Sequence, residues 1–182
     1  MRVLVTGAGG FIGHHLTTYL TNQGYWVRGV DIKEPDYAST PAQEFLTLDL
    51  RNEDDARQAT IDVEEVYHLA ADMGGIGYIT ASHADISRNN TLIDLQTLDG
   101  ARANDVKRFL YASSACVYPA SRQTDPNVEP LREADAWPAD PRAGIRSRKV
   151  VHGRDVPVLP ERPSTRDTRR AFPQRVRSVR RL

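Results

Sequence analysis

Glycines near the start of the chain, within the segment Thr6–Gly13, form the pattern with the clearest chemical meaning. Gly7, Gly10 and Gly13 recur at every third position, between a branched apolar run and a segment with helical spacing. Glycine allows a sharp strand-to-helix turn and leaves space for a pyrophosphate beside the helix amide groups. A third glycine lets the helix pack closely on the sheet. The segment therefore predicts a phosphate-binding strand, turn and helix.

An acidic residue ends the second predicted strand, Trp26–Asp31. Asp31 lies eighteen residues after Gly13, close to the spacing at which a carboxylate binds the ribose hydroxyls of an adenine dinucleotide. The same carboxylate would repel a 2′-phosphate, so the pattern favours NAD over NADP. The alternative interpretation is a tight turn with a solvated aspartate. We expect the two motifs to act together.

The rest of the first 111 residues alternates between strand and helix patterns. The predicted strands are 2–5, 26–31, 44–48, 63–69 and 106–111, and the predicted helices are 11–20, 53–59 and 82–104. This alternation predicts an α/β fold with a doubly wound parallel sheet. Ligands of such sheets lie at the carboxyl ends of the strands. Five segments are expected there: Gly7–Gly13, Asp31, Asp49, Ala70–Gly77 and Ser113–Cys116.

The composition hides two oppositely charged parts. Residues 1–140 contain 11 Lys and Arg against 21 Asp and Glu, a net charge of −10, whereas residues 141–182 contain 13 against 3, a net of +10. The single cysteine, Cys116, excludes an internal disulfide and fits a reducing compartment. No run is apolar enough for a membrane span or a signal peptide, and no cluster has metal-ligand spacing. We expect a soluble, cytoplasmic protein without a metal.

At these motifs the chain resembles the extended short-chain dehydrogenase/reductase family of sugar-nucleotide enzymes. The shared segments are Thr6–Gly13, Asp49–Arg51, His68–Ala71 and Tyr111–Ser114. Within that family, segments 71–75, 89–90, 113–119 and 135–139 are similar to those of GDP-mannose 3,5-epimerases. The resemblance covers residues 1 to about 141, which we interpret as one NAD-binding Rossmann domain that is incomplete by itself.

The resemblance implies roles for particular residues. It assigns NAD contacts to Gly7, Gly10, Phe11, Ile12, Gly13, Asp31, Asp49, Leu50, Leu69 and Ala70. It assigns substrate contacts, with GDP-mannose as the expected sugar nucleotide, to Gly74, Gly75, Ser114 and Cys116. Relatives pair through helices like 82–104, so a homodimer remains open.

The implied reaction is a transient oxidation at C4 of the hexose, which acidifies C3 and C5 for inversion before re-reduction. Cys116 matches the thiol of the acid/base pair, and Ser114 would help to polarise the C4 oxygen. A thiol suits this role because its pKa can approach neutrality. The alternative for Cys116 is a small buried hydrophobe. His68 is interpreted as a structural residue at a strand end.

The resemblance stops at the Tyr-x-x-x-Lys pair of the family. Lys149 lies in register with the lysine, but Ile145 occupies the tyrosine position and cannot transfer a proton. Residues 145–149 can be written ATA CGG TCT CGA AAA, and reading one base later gives Tyr-Gly-Leu-Glu-Lys. Residues 171–179 permit a second shift at the same offset. We therefore interpret residues 142–182 as an out-of-frame tail rather than a domain.

The tail is rich in arginine and lacks apolar periodicity, so we expect it to be disordered or irregular. The alternative is an arginine-rich arm for nucleic acid, which we disfavour because Phe172 is its single aromatic residue. The sequence supports two interpretations of the function. The first is an NAD-dependent epimerase of GDP-mannose, or another sugar-nucleotide epimerase or dehydratase. The second is a non-catalytic NAD-binding remnant with exposed apolar surface and poor solubility.

Overall fold

A single five-stranded parallel sheet forms the centre of the fold in the computed structural model, which describes residues 1–74, 82–113, 118–119 and 131–136. The strands are β1 (Arg2–Thr6), β2 (Trp26–Asp31), β3 (Glu44–Thr47), β4 (Glu65–His68) and β5 (Arg108–Tyr111). Their order across the sheet is β3-β2-β1-β4-β5, and every neighbouring pair is parallel. The chain therefore reverses direction across the sheet at β1, as predicted for a doubly wound fold.

In the part of the chain that the structure describes, three helices cover the two faces of the sheet: α1 (Phe11–Asn22), α2 (Glu53–Ala59) and α3 (His83–Ala103). Leu20 of α1 packs with Val3, Val5 and Val27 on one face. The other face carries α2 and α3, in a cluster that includes Leu4, Val30, Leu50, Ala56, Val66, Ile93 and Ala101. Successive β1 side chains thus point to opposite layers, so the branched run that predicted this strand is buried on both faces.

Side chains at the start of α2 define where this helix begins. The Asn52 side chain accepts a hydrogen bond from the Asp54 amide at 2.9 Å, and three acids occupy the first turn. Both features satisfy or complement the positive helix end. A short 3₁₀ helix, Glu133–Ala136, is the remaining element of the described ranges.

Besides β3, which ends one residue earlier than predicted, two predicted strands are shorter than expected. Residues 63–69 were expected in β4, but the Leu69 amide donates to the Thr6 hydroxyl at 3.0 Å instead of extending the ladder. Residues 106–111 were expected in β5, but the Val106 amide donates to the Ala101 carbonyl at 3.0 Å and closes the end of α3. Side-chain and helix-end contacts therefore shorten both strands.

Ion pairs hold the amino ends of the strands together. Arg28 is 6% exposed, and its guanidinium donates to Glu44 at 2.6 Å and to the carbonyls of Ala59 and Ile61 at 3.0 and 2.7 Å. It thereby joins β2 to β3 and satisfies carbonyl groups at the end of α2. We call this end of the sheet the amino rim, and the end that carries the glycine turn the carboxyl rim.

The amino rim continues across β1, β4 and β5. The Arg2 guanidinium lies 3.4 Å from the ring centre of Trp26. Lys107 pairs with Glu64 at 2.8 Å, and the Arg108 guanidinium contacts the carboxylate of Glu65. Basic and acidic side chains thus neutralise one another along this side of the sheet.

Several predicted residues lie outside the described ranges: Gly75, Ser114, Cys116, Ile145, Lys149 and the whole segment 142–182. Within the described ranges, no helix has the length and apolar character needed to cross a membrane.

Candidate functional site

The glycine turn joins β1 to α1 at the carboxyl rim. Gly7 has φ +71°, a left-handed conformation that favours glycine. The Gly10 amide donates to the Gly7 carbonyl at 3.1 Å, and the His14 amide donates to the Gly10 carbonyl at 2.9 Å. The chain therefore reverses within four residues and enters α1 directly.

Close contacts explain three of the glycines. A Cβ atom at Gly13 would lie 2.0 Å from the Gly7 carbonyl oxygen, and one at Gly9 would lie 2.4 Å from the Lys33 carbonyl oxygen. At Gly7 a Cβ would lie 3.0 Å from the Ala70 amide nitrogen. Neighbouring backbone occupies each of these positions. The predicted role of Gly13 in close helix packing therefore has a direct geometric cause.

Gly10 is different, because a Cβ there would meet, among the described residues, just the Gly7 oxygen at 3.3 Å. Gly10 precedes the first turn of α1, whose amide groups lack partners within the helix. The side chains of Phe11 and Ile12 are 71% and 70% exposed. An anion such as a pyrophosphate fits this open helix end.

Asp31 lies beside the glycine turn, as its spacing predicts. One carboxylate oxygen accepts from the Gly9 amide at 3.0 Å, and the other accepts from the Ile32 amide at 2.7 Å. Each oxygen has a second lone pair, so the carboxylate can still accept ribose hydroxyl groups. The end of β2 and the turn after β1 therefore form one continuous surface.

Tyr37 extends this surface and had no role in the sequence-based prediction. Its hydroxyl donates to the Gly10 carbonyl at 3.2 Å, and its ring lies 5.1 Å from that of His14. These contacts hold the loop between β2 and β3 against the glycine turn. Its position in a polar, proline-punctuated loop gave no periodic signal.

Asp49 follows β3 at the same rim. Hydrogen bonds from the Arg51 guanidinium, the shortest at 2.6 Å, hold the pKa of the Asp49 carboxyl below its ordinary value. The side chain of Asp49 is 41% exposed, whereas Leu50 is buried in the core. The NAD contacts expected for Asp49 and Leu50 stay predictions.

Leu69 and Ala70 follow β4 and lie next to the glycine turn. Their amides donate to the Thr6 hydroxyl oxygen at 3.0 and 3.1 Å. Thr6 is fully buried and immediately precedes Gly7. The structure therefore brings two further predicted cofactor residues to the start of the glycine turn.

An asparagine of α3 holds the next loop segment. Asn90 is fully buried, accepts from the Asp72 amide at 2.7 Å and donates to the Asp72 carbonyl at 2.9 Å. Asn89 also donates to the Asp72 carboxylate at 2.8 Å. Gly74, an expected substrate contact, is exposed two residues later. Polar residues on the buried stripe of α3 could have pointed to this role.

Comparisons with known proteins agree with this geometry. A sequence model of the NAD dependent epimerase/dehydratase family matches residues 3–143. The chain is 45% identical over 153 residues to GDP-mannose 3,5-epimerase 1 of Oryza sativa subsp. indica, which covers 83% of this chain and 40% of the relative. It is 41% identical over 153 residues to the GDP-mannose 3,5-epimerase of Arabidopsis thaliana, covering 83% and 41% of the two chains.

Solved structures show the same architecture. A short-chain dehydrogenase/reductase superfamily protein of Agrobacterium tumefaciens with bound NAD has a TM-score of 0.69 at 28% identity, covering 85% of this chain and 43% of that one. A UDP-glucose 4-epimerase of Thermus thermophilus in complex with NAD has a TM-score of 0.70 at 25% identity, covering 85% and 49%.

The chain spans about 40% of the length of the curated relatives described above. The matched segment nevertheless contains the whole carboxyl rim of the described sheet, from the glycine turn to β5. The predicted family is thereby confirmed, and NAD, the predicted cofactor, is the one on which that family depends. On its sequence and its fold, the chain belongs to the NAD dependent epimerase/dehydratase family.

Proposed function

We propose that this chain binds NAD along the carboxyl rim and derives from an epimerase of GDP-mannose. The observation that carries the proposal is the contact between the Asp31 carboxylate and the Gly9 amide, 3.0 Å. It puts an acceptor for the ribose hydroxyls next to the open helix end that suits a pyrophosphate. The residues assigned to NAD by family resemblance occur on both sides of this contact.

Similarity to the plant enzymes supports GDP-mannose as the substrate, because it reaches 45% identity over 153 residues. NAD held at this rim would supply the hydride acceptor for oxidation at C4 of the sugar. In the proposed reaction, the Cys116 thiol exchanges protons at the carbons to be inverted, and Ser114 donates a hydrogen bond to the C4 oxygen. The family resemblance assigns further sugar contacts to Gly74 and Gly75, whose lack of a side chain would leave room for the substrate.

We further propose that the 182-residue chain does not complete this reaction. Ile145 occupies the position at which the family pattern has the tyrosine base, and an isoleucine side chain carries no exchangeable proton. The chain would then be a non-catalytic NAD-binding remnant of the family. Both proposals are compatible, because binding and turnover depend on different residues.

Calorimetric titration tests the binding proposal. Asp31→Asn should weaken NAD binding about tenfold or more, since hydrogen bonds to a charged acceptor contribute about 1.5–3 kcal/mol. It should also reduce the preference for NAD over NADP. Asp36→Asn is the matched control, because Asp36 is exposed and pairs with Lys33 in the adjacent loop. Equal affinities in the two variants would contradict the proposed ribose contact.

Product analysis tests the proposed substrate and the lack of turnover. The purified chain is incubated with NAD and GDP-mannose, and the nucleotide sugars are separated by chromatography. We expect no GDP-galactose above the level of a Cys116→Ala control. Formation of that product would overturn the inactivity proposal, whereas conversion of a different sugar nucleotide would favour another epimerase or dehydratase of the family.

Limited proteolysis tests the proposed division into residues 1–141 and 142–182. A stable fragment ending near residue 141, identified by mass spectrometry, is the expected result. Resistance of the full chain would show that the segment 142–182 folds with the rest. Light scattering on the uncleaved chain tests whether two copies pair. A reducing cytoplasmic compartment is proposed from Cys116, the single cysteine.

A further inference from the structure

A chain of four linked polar side chains, three of them buried and that of Tyr111 half-buried, crosses the sheet just beneath the carboxyl rim. The Thr6 hydroxyl lies 3.0 Å from His68 Nδ1, and His68 Nε2 lies 3.1 Å from a carboxylate oxygen of Asp94. The Tyr111 hydroxyl donates to the other oxygen of Asp94 at 3.0 Å. The four residues come from β1, β4, α3 and β5. We call them the rim network.

The hydrogen-bonding capacity of Thr6 fixes the direction of the bonds. Its hydroxyl oxygen accepts from the amides of Leu69 and Ala70, at 3.0 and 3.1 Å. A hydroxyl group has two acceptor lone pairs and one hydrogen, so that hydrogen is donated to His68 Nδ1. The ring proton of His68 is therefore on Nε2 and is donated to Asp94. Asp94 thus accepts from His68 on one side and from Tyr111 on the other.

Because the network is largely buried, its polar groups depend on one another for hydrogen bonds. Thr6 is fully buried, and His68 and Asp94 are 2% and 5% exposed. A buried polar group that loses its partner incurs a large desolvation penalty, and linked hydrogen bonds reinforce one another. A change at Asp94 should therefore be transmitted through His68 and Thr6 to the two amides.

The network lies under three of the rim segments that the site uses. Gly7 follows Thr6, Leu69 and Ala70 follow His68, and the loop with Ser113 follows Tyr111. Asn90, one helical turn before Asp94, holds Asp72 from the same helix. Helix α3 therefore contacts the Asp72 backbone through Asn90, and the side chains of His68 and Tyr111 through Asp94.

We propose that Asp94, acting through His68 and Thr6, is a positioning residue that holds the Leu69 and Ala70 amides in place for cofactor binding. The proposal rests on the proposed binding of NAD to this chain. It assigns to α3 a role beyond covering the sheet, because its carboxylate sets the orientation of groups on β1, β4 and β5.

Two substitutions at one position test the proposal. Asp94→Leu has nearly the same shape but cannot accept hydrogen bonds, whereas Asp94→Asn keeps an oxygen for His68. Asp94→Leu should raise the dissociation constant for NAD at least tenfold and accelerate amide hydrogen exchange at Leu69 and Ala70 at least tenfold. Asp94→Asn should stay within about threefold of the wild type in both measurements.

Ile93→Ala is the control for general destabilisation, because Ile93 is the preceding residue of α3 and lies in the core. It should lower stability without selective exchange at Leu69 and Ala70. If Asp94→Leu does not fold, Tyr111→Phe removes one donor to Asp94 and should accelerate exchange at both amides by a smaller factor. Unchanged exchange at Leu69 and Ala70, or an equal effect of Ile93→Ala, would overturn the proposal.

The exchange measurement separates this proposal from the proposed function. If the wild type does not bind NAD, the proposed function fails. Selective exchange at Leu69 and Ala70 in the cofactor-free Asp94→Leu variant would then still support the positioning role, and its absence would refute it.

Discussion

The two ends of the sheet use different chemistry. At the amino rim, charged side chains pair with one another, as in Arg28 with Glu44 at 2.6 Å and Lys107 with Glu64 at 2.8 Å. At the carboxyl rim, side-chain oxygens hold backbone amides, as in Asp31 with Gly9 at 3.0 Å. The same strands therefore end in mutually neutralised charges on one side and in positioned backbone on the other.

This difference indicates that the two rims have different roles, stability at the amino rim and ligand binding at the carboxyl rim. Paired charges and a guanidinium over Trp26 stabilise the amino rim without leaving a cradle for an anion. At the carboxyl rim, the glycine turn and the network under it keep amide groups available for a ligand. We expect changes at the amino rim to affect stability alone, and changes at the carboxyl rim to affect stability and NAD binding together.

The largest effect is expected from Gly13→Ala at the carboxyl rim. Its Cβ would lie 2.0 Å from the Gly7 oxygen, so α1 must shift away from the turn. We expect a loss of at least about 3 kcal/mol in the free energy of unfolding, measured in urea, together with loss of NAD binding.

Gly24→Ala is its control. Gly24 has φ +82° but no atom within 4 Å of the new Cβ, so it should cost about 1 kcal/mol of backbone strain and leave binding intact. Equal losses in the two variants would mean that backbone conformation, rather than close packing, sets the cost.

The next effect is expected from Arg28→Met at the amino rim. The substitution removes the donor for the carbonyls of Ala59 and Ile61, which should cost about 2 kcal/mol in urea unfolding. NAD affinity should remain unchanged in calorimetry. Arg57 is exposed, so the control substitution Arg57→Met should change neither the free energy of unfolding nor the NAD affinity appreciably. A parallel fall in NAD affinity for Arg28→Met would break the comparison between the rims.

A smaller, pH-dependent effect is expected at Tyr67, whose hydroxyl extends to Glu65 at the amino rim, 3.3 Å away. Burial, followed by the charge of Glu65, raises the pKa of the Tyr67 hydroxyl above its ordinary value of 10.0. A raised pKa in the folded state stabilises the fold below pH 10, and this contribution is lost as the pH rises through the folded value.

We therefore expect alkaline unfolding above about pH 10 to be less steep in Tyr67→Phe than in the wild type, by at most about 1 kcal/mol because the group is partly solvated. Thermal melts between about pH 8 and about pH 11.5 measure this. The exposed Tyr19→Phe serves as the control, and a pH profile for Tyr67→Phe identical to that of the wild type would contradict the prediction.

The smallest effect is expected at Asp49. Hydrogen bonds from Arg51 lower the pKa of its carboxyl from 3.8. A lowered pKa stabilises the folded state above about pH 4, and this contribution is lost as the pH falls through the folded value. Since the side chain is 41% exposed, Asp49→Asn should change acid unfolding by less than about 1 kcal/mol. A larger loss at neutral pH would give Asp49 a structural role.

Much of the scaffold was predictable from local patterns. The bounds of β2 and of α2 agree with the predictions, because both depend on adjacent residues. The glycine turn and Asp31 were also predictable, since their spacing follows from the connection between two adjacent strands.

The faces of the helices were harder to predict. Phe11, Ile12 and Leu95 are large apolar residues within helices, but all three are exposed. The buried side of α1 uses small residues such as Gly13 and Thr17, and that of α3 uses Asn90, Asp94 and Thr97. Thr17 and Thr97 donate to carbonyls one turn earlier in their own helices, whereas the partners of Asn90 and Asp94 are distant in sequence. Single-sequence periodicity detects neither kind of partner and therefore misidentifies the environment of these residues.

The position of Trp26 has a practical consequence. Trp26 begins β2 and Asp31 ends it, about 17 Å away at the usual rise of a strand. Because a guanidinium stacks 3.4 Å from its ring centre, indole emission from Trp26 should report on the integrity of the end of the sheet remote from the cofactor. Trp26 emission would then report unfolding of the amino rim, and calorimetry would independently report NAD binding at the glycine turn.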